Sequence, residues 1–308
     1  MRLAEINRLP GVESQALNIR HACILFFALT ASASFHDLPT QPGAYRFPNG
    51  RVLAAQPGSD VLSLRVAVED GLQRSIKYLF LNPELAQKRR IIADVPPSIQ
   101  LPHLPSGDWN EARVFPDRHG VPEVGNATRT SHQAVVNDWH PRRFDYFAFI
   151  NVETLQQDRL QIVRHPEFNE PILLKIASFP WDIPSVEQEA RIYQRLRGSG
   201  AVPYFLGHVT ESGRIIGFIT EYIREIPSVR RAHIQNCLIA LQELHRRGIV
   251  HGDAHSDNCL IRPDSSAALI DFELAEHTWS DDEFGRDLDI MDRCILSVKA
   301  ELRRASAL

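Results

Sequence analysis

Residues 248–275 read GIVHGDAHSDNCLIRPDSSAALIDFELA. His251, Asp253, His255, Asp257, Asn258 and Asp271 crowd together here between apolar runs. A plain core strand or helix has no use for so many polar side chains. The segment therefore reads as a loop that carries chemistry, held between strands that do not.

The bulk numbers limit what such a loop can serve. A chain of 308 residues suggests about two domains. Its hydrophobic fraction of 44% and charged fraction of 23% suit a globular protein with a proper core. A net charge of −4 offers no basic footprint for nucleic acid. Cys23, Cys237, Cys259 and Cys294 stand far apart without a C-x-x-C pair. That spacing argues against a zinc site and a disulfide framework, and for a reducing compartment. The apolar run Cys23–Phe35 ends near Ala31-Ser32-Ala33, as a signal peptide would. It is too short to span a bilayer as a helix, and the basic residues before it are scattered. The chain reads as cytoplasmic and free of membrane contact, with secretion through residues 1–33 as the lesser reading. On that reading the sequon Asn126-Ala127-Thr128 carries no glycan.

Outward from the loop, the texture divides near Phe144. Residues 36–60 read as an irregular approach, rich in Pro, Gly and Gln. Leu62, Leu64, Val66 and Val68 alternate, Asp70-Gly71 offers a turn, and Ile76, Tyr78 and Phe80 follow; this predicts a β-hairpin. Proline and polar breakers make residues 94–126 a linker or long loop. From Phe144 three short apolar runs read as strands: FDYFAFINVE, RLQIVRH and EPILLKIA. SVEQEARIYQRLRG reads as a helix capped by Ser185, with Gln188 in a capping box and Gly198 as the stop. A hairpin turning at Ser212-Gly213 follows, then a helix through Ile234, Leu238, Leu241 and His245 that stops at Gly248.

His251-Gly252-Asp253 followed by Asn258, with Asp271-Phe272-Glu273 after it, resembles the catalytic loop and metal-binding motif of the protein-kinase-like fold. Lys175 in LLKIA resembles that family's strand lysine. HGD together with IDFE is similar to aminoglycoside-phosphotransferase-like enzymes and to fungal kinase-like proteins. LPSGDWNEA (104–112) and DWHP (138–141) also resemble upstream segments of the latter. The resemblance covers residues 144–300 well and the earlier part weakly. It implies an α+β, bilobal fold, with an N-terminal extension (1–143) holding the hairpin and the proline-rich linker. The kinase-like domain (144–308) would comprise a small β-rich N-lobe (144–223) and a truncated, mainly helical C-lobe (224–308).

The resemblance also implies roles. ATP and Mg²⁺ would be the cofactors. Lys175 would hold the α and β phosphates, and Asp253 would orient or deprotonate the acceptor hydroxyl. Asn258 and Asp271 would supply hard oxygen ligands to Mg²⁺. Glu221 and Ile223 are assigned to cofactor binding, and His251 to fixing the loop backbone. His255 and Asp257 read as loop solvation and local turn bonding. The helix partner of Lys175 follows from phase: Val186, Glu189, Tyr193 and Leu196 share one face, whereas Glu187, Arg191 and Gln194 lie on a polar face. Glu189 is the lone acid on the inward stripe, where it needs a cation.

Three departures stand against the pattern. No glycine occurs between Gly125 and Gly198, so the glycine-rich phosphate loop is missing, and NVETLQQDR occupies its place. Gly252 stands where protein kinases carry an arginine that meets a phosphorylated activation loop. Only 35 residues follow Glu273, without an Ala-Pro-Glu motif; they hold an acidic loop (Asp281, Asp282, Glu283) and a closing helix through Leu288, Ile295 and Leu296. The expectation is a phosphotransferase acting on a hydroxyl of a small molecule or of one dedicated protein. The alternative is a pseudokinase whose output is a protein contact.

Overall fold

The computed structural model describes residues 45–71, 73–82, 85, 99–156 and 158–305. The apolar run Cys23–Phe35 and its Ala31-Ser32-Ala33 lie outside them. Strand β3 (Leu62–Asp70) pairs antiparallel with β4 (Gln73–Leu81), and Gly71 takes φ +61° in the turn. Alternation divides their side chains between two cores. Leu62, Leu64, Val66, Val68, Leu79 and Leu81 pack with Leu104, Trp109 and Val114. On the other face Ala67, Ile76 and Tyr78 join a larger core with Val163, Leu174 and Val186. Arg65 points to that second face and is wholly buried.

This sheet has five strands, in the order β2-β3-β4-β6-β7. Strand β2 is Gly50–Pro57, β6 is Glu111–Pro116 and β7 is Pro122–Thr128. A short parallel pair, β1 (Tyr45–Arg46) with β5 (Ile99–Gln100), forms a separate two-stranded sheet whose Tyr45 packs into the core that holds Leu104 and Trp109. Two expectations are corrected here. Residues 36–60 and 94–126 were expected to be irregular, yet both contribute strands. Their prolines sit where a strand tolerates them: Pro57 closes β2, Pro116 closes β6 and Pro122 opens β7. Between the last two, the Asp117 carboxylate accepts from the amides of His119 and Val121, which closes the turn.

A second sheet has the order β8-β12-β13-β11-β10-β9. Its strands are β8 (Arg143–Asp145), β9 (Ile150–Gln156), β10 (Leu160–Arg164), β11 (Ile172–Ile176), β12 (Phe205–Glu211) and β13 (Arg214–Glu221). Ser212 (φ +50°) and Gly213 (φ +83°) turn β12 into β13, two left-handed residues that match the strand twist. Helix α1 (Ile183–Arg195) lies between β11 and β12 in the chain. It starts two residues before the expected cap, so Ser185 is inside it and donates to Asp182 O at 3.2 Å. Asp182 instead accepts from Phe179 N at 3.0 Å, and Gln188, expected in a capping box, donates to Ala275 O at 2.6 Å. Gly198 (φ +74°) follows the helix end.

Arg65 ties the two sheets together. Its guanidinium bonds Asp158, in the turn between β9 and β10, and Glu211 on β12 at 2.6 Å. Tyr146 Oη donates to Asp158 at 2.6 Å, and Tyr78 Oη donates to Glu211 at 2.9 Å. Burial works to raise the Glu211 pKa, but Arg65 and Arg214 outweigh it and hold the carboxyl below the ordinary glutamate range.

Residues 222–305 are mainly helical. The expected helix ending at Gly248 is two: α2 (Pro227–His233) and α3 (Asn236–Arg246). Short strands β14 (Ile249–Val250), β15 (Cys259–Ile261), β16 (Ala267–Leu269) and β17 (Glu276–His277) precede α4 (Asp281–Ala305). Strand β14 pairs with β17, and β15 with β16. Cys237 on α3 and Cys259 on β15 form a disulfide, with Cα atoms 6.0 Å apart. This overturns the reading of four isolated cysteines. Separation along the chain hid a contact made when α3 packs on the β15–β16 hairpin. Among the described residues, no helix is long and apolar enough to cross a membrane.

Candidate active site

Lys175 lies on the central strand β11, opposite Leu160 of β10 and Phe218 of β13. It is 8% exposed, and three carboxylates meet its ammonium. Glu189 Oε2 on α1 is at 2.5 Å, Glu273 Oε1 at 2.8 Å and Asp271 Oδ1 at 3.0 Å. Glu189 sits on the inward stripe with Val186, Tyr193 and Leu196, all buried. Phase along the helix thus brings Glu189 to the lysine. Glu187, expected on the polar face, is also buried: it pairs with Arg191 and accepts from Val136 N at 3.1 Å. The stretch before β8 covers that side of the helix, which helical phase alone could not reveal.

Electrostatics favour the charged forms of Lys175, Asp271 and Glu273, but not of Glu189. Burial works to lower the Lys175 pKa, yet Glu189, Asp271 and Glu273 outweigh it and hold the lysine above its ordinary range. Burial pushes the Glu189 carboxyl up against the pull of that same ammonium. Asp271 and Glu273 are less buried; the lysine overcomes their burial and holds both below the usual carboxylate range.

The loop after β14 carries the remaining candidates. His251 is fully buried: Nε2 lies 3.0 Å from Ile270 O, and Asp253 N donates to Nδ1 at 3.3 Å. Both contacts suit a neutral ring protonated at Nε2, and burial lowers the histidine pKa accordingly. Asn258 Nδ2 donates to Asp253 O and to Asp253 Oδ2, both at 2.9 Å. The Asn258 side-chain oxygen makes no hydrogen bond among the described residues. Asp271 follows directly, because Ile270 N donates to Asn258 O at 2.9 Å. Asp271 itself has φ +64°, a left-handed conformation that aspartate tolerates better than most residues. Phe272 is buried against Tyr193 and His251, with ring centroids 5.4 and 5.2 Å away.

Gly252 is explained by backbone geometry. It has φ +78°, and a Cβ there would lie 2.4 Å from Leu274 O. An arginine cannot replace it without moving the segment after Asp271. Gly252→Ala should therefore destabilise the protein by about 1–3 kcal/mol, the usual cost of a strained backbone position. A urea midpoint equal to that of the wild type would contradict this account.

One residue of the site was not legible as such. Asp287 on α4 is 2% exposed; it accepts from His251 N at 2.6 Å and from Gly252 N at 3.2 Å, and meets His245 Nε2 at 3.1 Å. It fixes the backbone on which Asp253 stands. Asp287, Met291 and Ile295, four residues apart and buried, form one stripe, so the phase argument that selected Glu189 would have selected Asp287 as well.

The other candidates divide. Glu221, at the end of β13, accepts from Tyr204 N at 3.2 Å and pairs with Arg262 at 3.1 Å, so its carboxylate is engaged. Ile223 is buried two residues further on. His255 is exposed, 3.5 Å from Asp253 Oδ1 and 3.4 Å from Cys294 Sγ. Asp257 is exposed, with Arg230 at 3.8 Å.

Comparison with known proteins places the loop in context. Residues 224–281 match the phosphotransferase enzyme family. The chain is 27% identical over 207 residues to dual specificity testis-specific protein kinase 2 of Homo sapiens, covering 61% of this chain and 35% of that protein. The Mus musculus counterpart is 25% identical over the same share. A probable SapB synthase of Streptomyces coelicolor is 47% identical over 49 residues, or 16% of this chain and 5% of that one. The chain thus spans about a third of the testis-specific kinases it matches. These matches, with the mixed α+β architecture, support a kinase-like phosphotransferase family.

Proposed function

We propose that the protein transfers the γ-phosphoryl group of ATP, with Mg²⁺, to a hydroxyl of a small molecule or of one dedicated protein. Residues 144–223 and 224–308 would act as the two lobes around the nucleotide. The observation that carries this reading is Lys175 bridged at 2.5 Å to Glu189 and at 3.0 Å to Asp271, with Asn258 bonded to Asp253 in the neighbouring loop. Lys175 would hold the α and β phosphates, with Glu221 and Ile223 beside the adenine. Asp253 would orient the acceptor hydroxyl and take its proton, its carboxylate steadied by Asn258. The free oxygen of Asn258 and the Asp271 carboxylate are hard donors that fit Mg²⁺, and that ion would neutralise charge on the phosphates. Asp281, Asp282 and Glu283 begin α4 and would disfavour acidic acceptors.

Thermal unfolding with and without nucleotide tests the reading. Binding stabilises by RT ln(1 + [L]/Kd), about 2.7 kcal/mol at a hundred times Kd. ATP with Mg²⁺ at millimolar concentration should raise the melting temperature more than ATP alone. No shift under either condition would sink the proposal. The Lys175–Glu189 contact gives a second check. Lys175→Ala and Glu189→Ala should each weaken ATP binding by about ten- to a hundredfold, the range for losing a charge-assisted contact. The double variant should be no weaker than either single one, because the pair acts as a unit. Additive losses in a calorimetric titration would mean the two residues act separately. The pseudokinase reading also has support: the turn before β10 has no glycine, and three carboxylates already engage Lys175.

A further inference from the structure

The β9–β10 turn offers a phosphate poor backbone contact. Gln156 and Leu160 pair on either side of it. Arg159 N is already committed inside the turn, to Gln156 O at 2.9 Å. What the turn does present is a guanidinium. Arg159 Nη2 bonds Glu273 Oε1 and donates to Ser185 Oγ at 3.1 Å. Lys175 Nζ lies 2.8 Å from that same Glu273 oxygen. Two cations, one from the turn and one from strand β11, therefore converge on one anionic oxygen, an arrangement that also suits a phosphate. Arg159 Nε is buried and has no hydrogen-bond partner among the described residues, so the planar fork keeps a spare donor.

The neighbouring residue fixes this guanidinium in place. Asp158 is 4% exposed, and it is held by Arg65 of β3, by Tyr146 Oη at 2.6 Å and by Gln161 Nε2 at 2.9 Å. Arg65 is in turn anchored by Glu211 at 2.6 Å. The turn cannot swing without unpairing buried charge. Resting on the phosphotransferase reading, we infer that Arg159 is a phosphate-binding residue of this site. It replaces with a side chain the amide donors that a glycine-rich turn would give, and the sheet before residue 130 holds it in register through Arg65 and Asp158. When phosphate enters, Arg159 exchanges the Glu273 carboxylate for a phosphate oxygen while Lys175 keeps Glu189.

The test is calorimetric titration of the full chain with adenosine, ADP and ATP, each with Mg²⁺, for the wild type, Arg159→Ala and Arg159→Lys. Unliganded melting temperatures are measured alongside. Arg159→Ala should lose about tenfold or more in affinity for ATP while adenosine binds as before, and Arg159→Lys should recover part of the loss, since it keeps the charge but not the fork. Wild type that binds none of the three ligands overturns the phosphotransferase reading itself. Wild type that binds ATP, with the ATP-to-adenosine ratio unchanged in Arg159→Ala, overturns the assignment of Arg159 alone. So does a variant that loses adenosine and ATP equally, because that marks a structural role.

Discussion

Arg65→Met lowers the stability of the folded protein by about 3–5 kcal/mol, the cost of removing one partner from a buried ion pair. Asp158 and Glu211 are left almost without solvent, at 4% exposure each, and with no comparable cation for Asp158. Urea denaturation measures the loss as a drop in midpoint at unchanged slope. Substituting both carboxylates as well, with Asp158→Leu and Glu211→Leu, should recover much of it, since a well-packed apolar set often equals a buried ionic one. A loss below about 1 kcal/mol in the single variant would mean that the network is solvated, contrary to its burial. The pH dependence has a definite sign. The folded-state pKa of Glu211 lies below its ordinary value of 4.5, so its contribution is present at neutral pH and fades as pH falls below that value. In Arg65→Met this acid-side loss should shrink.

Asp253→Asn should cut phosphate transfer by about 10²–10⁴-fold, the range for a positioned general base, while ATP affinity stays near that of the wild type. Its Asn258 contact survives in part, because Asn258 Nδ2 also bonds the Asp253 backbone carbonyl at 2.9 Å. Asp271→Ala should behave otherwise and lose the Mg²⁺-dependent share of ATP binding along with turnover. Radiolabelled transfer from ATP to a panel of small polyols and amino alcohols, beside a binding titration, separates the two. Equal binding by both variants would refute this division of labour. Broad, Asp253-dependent labelling of a mixed peptide library would refute the expectation of a narrow acceptor range.

The residues proposed for chemistry were legible because each is announced locally. His251, Asp253, Asn258 and Asp271 lie within 21 consecutive residues, and helical phase alone selects Glu189. What escaped depends on partners far along the chain. Asp287 lies 36 residues from His251, among other acids of α4, and only its place beside Met291 and Ile295 marks it. Cys237 and Cys259 meet only because α3 packs on the β15–β16 hairpin. The alternation in β3 was plain for its apolar face, but nothing local indicates that the opposite face, with Arg65, is buried too. Composition misled in residues 94–126, where prolines at strand ends read like breakers.

The Arg65 network also sets an order on events during synthesis. Its carboxylate partners lie 93 and 146 residues later in the chain. At a typical ribosomal rate, roughly 7–30 s separate the appearance of Arg65 from that of Glu211. The five-stranded sheet is complete in sequence by Thr128, yet its inner arginine has no counter-charge until Asp158 has been made, and lacks the second until β12 follows. The nascent sheet must keep that face hydrated, open to water or to a chaperone, until the second sheet arrives to close over it.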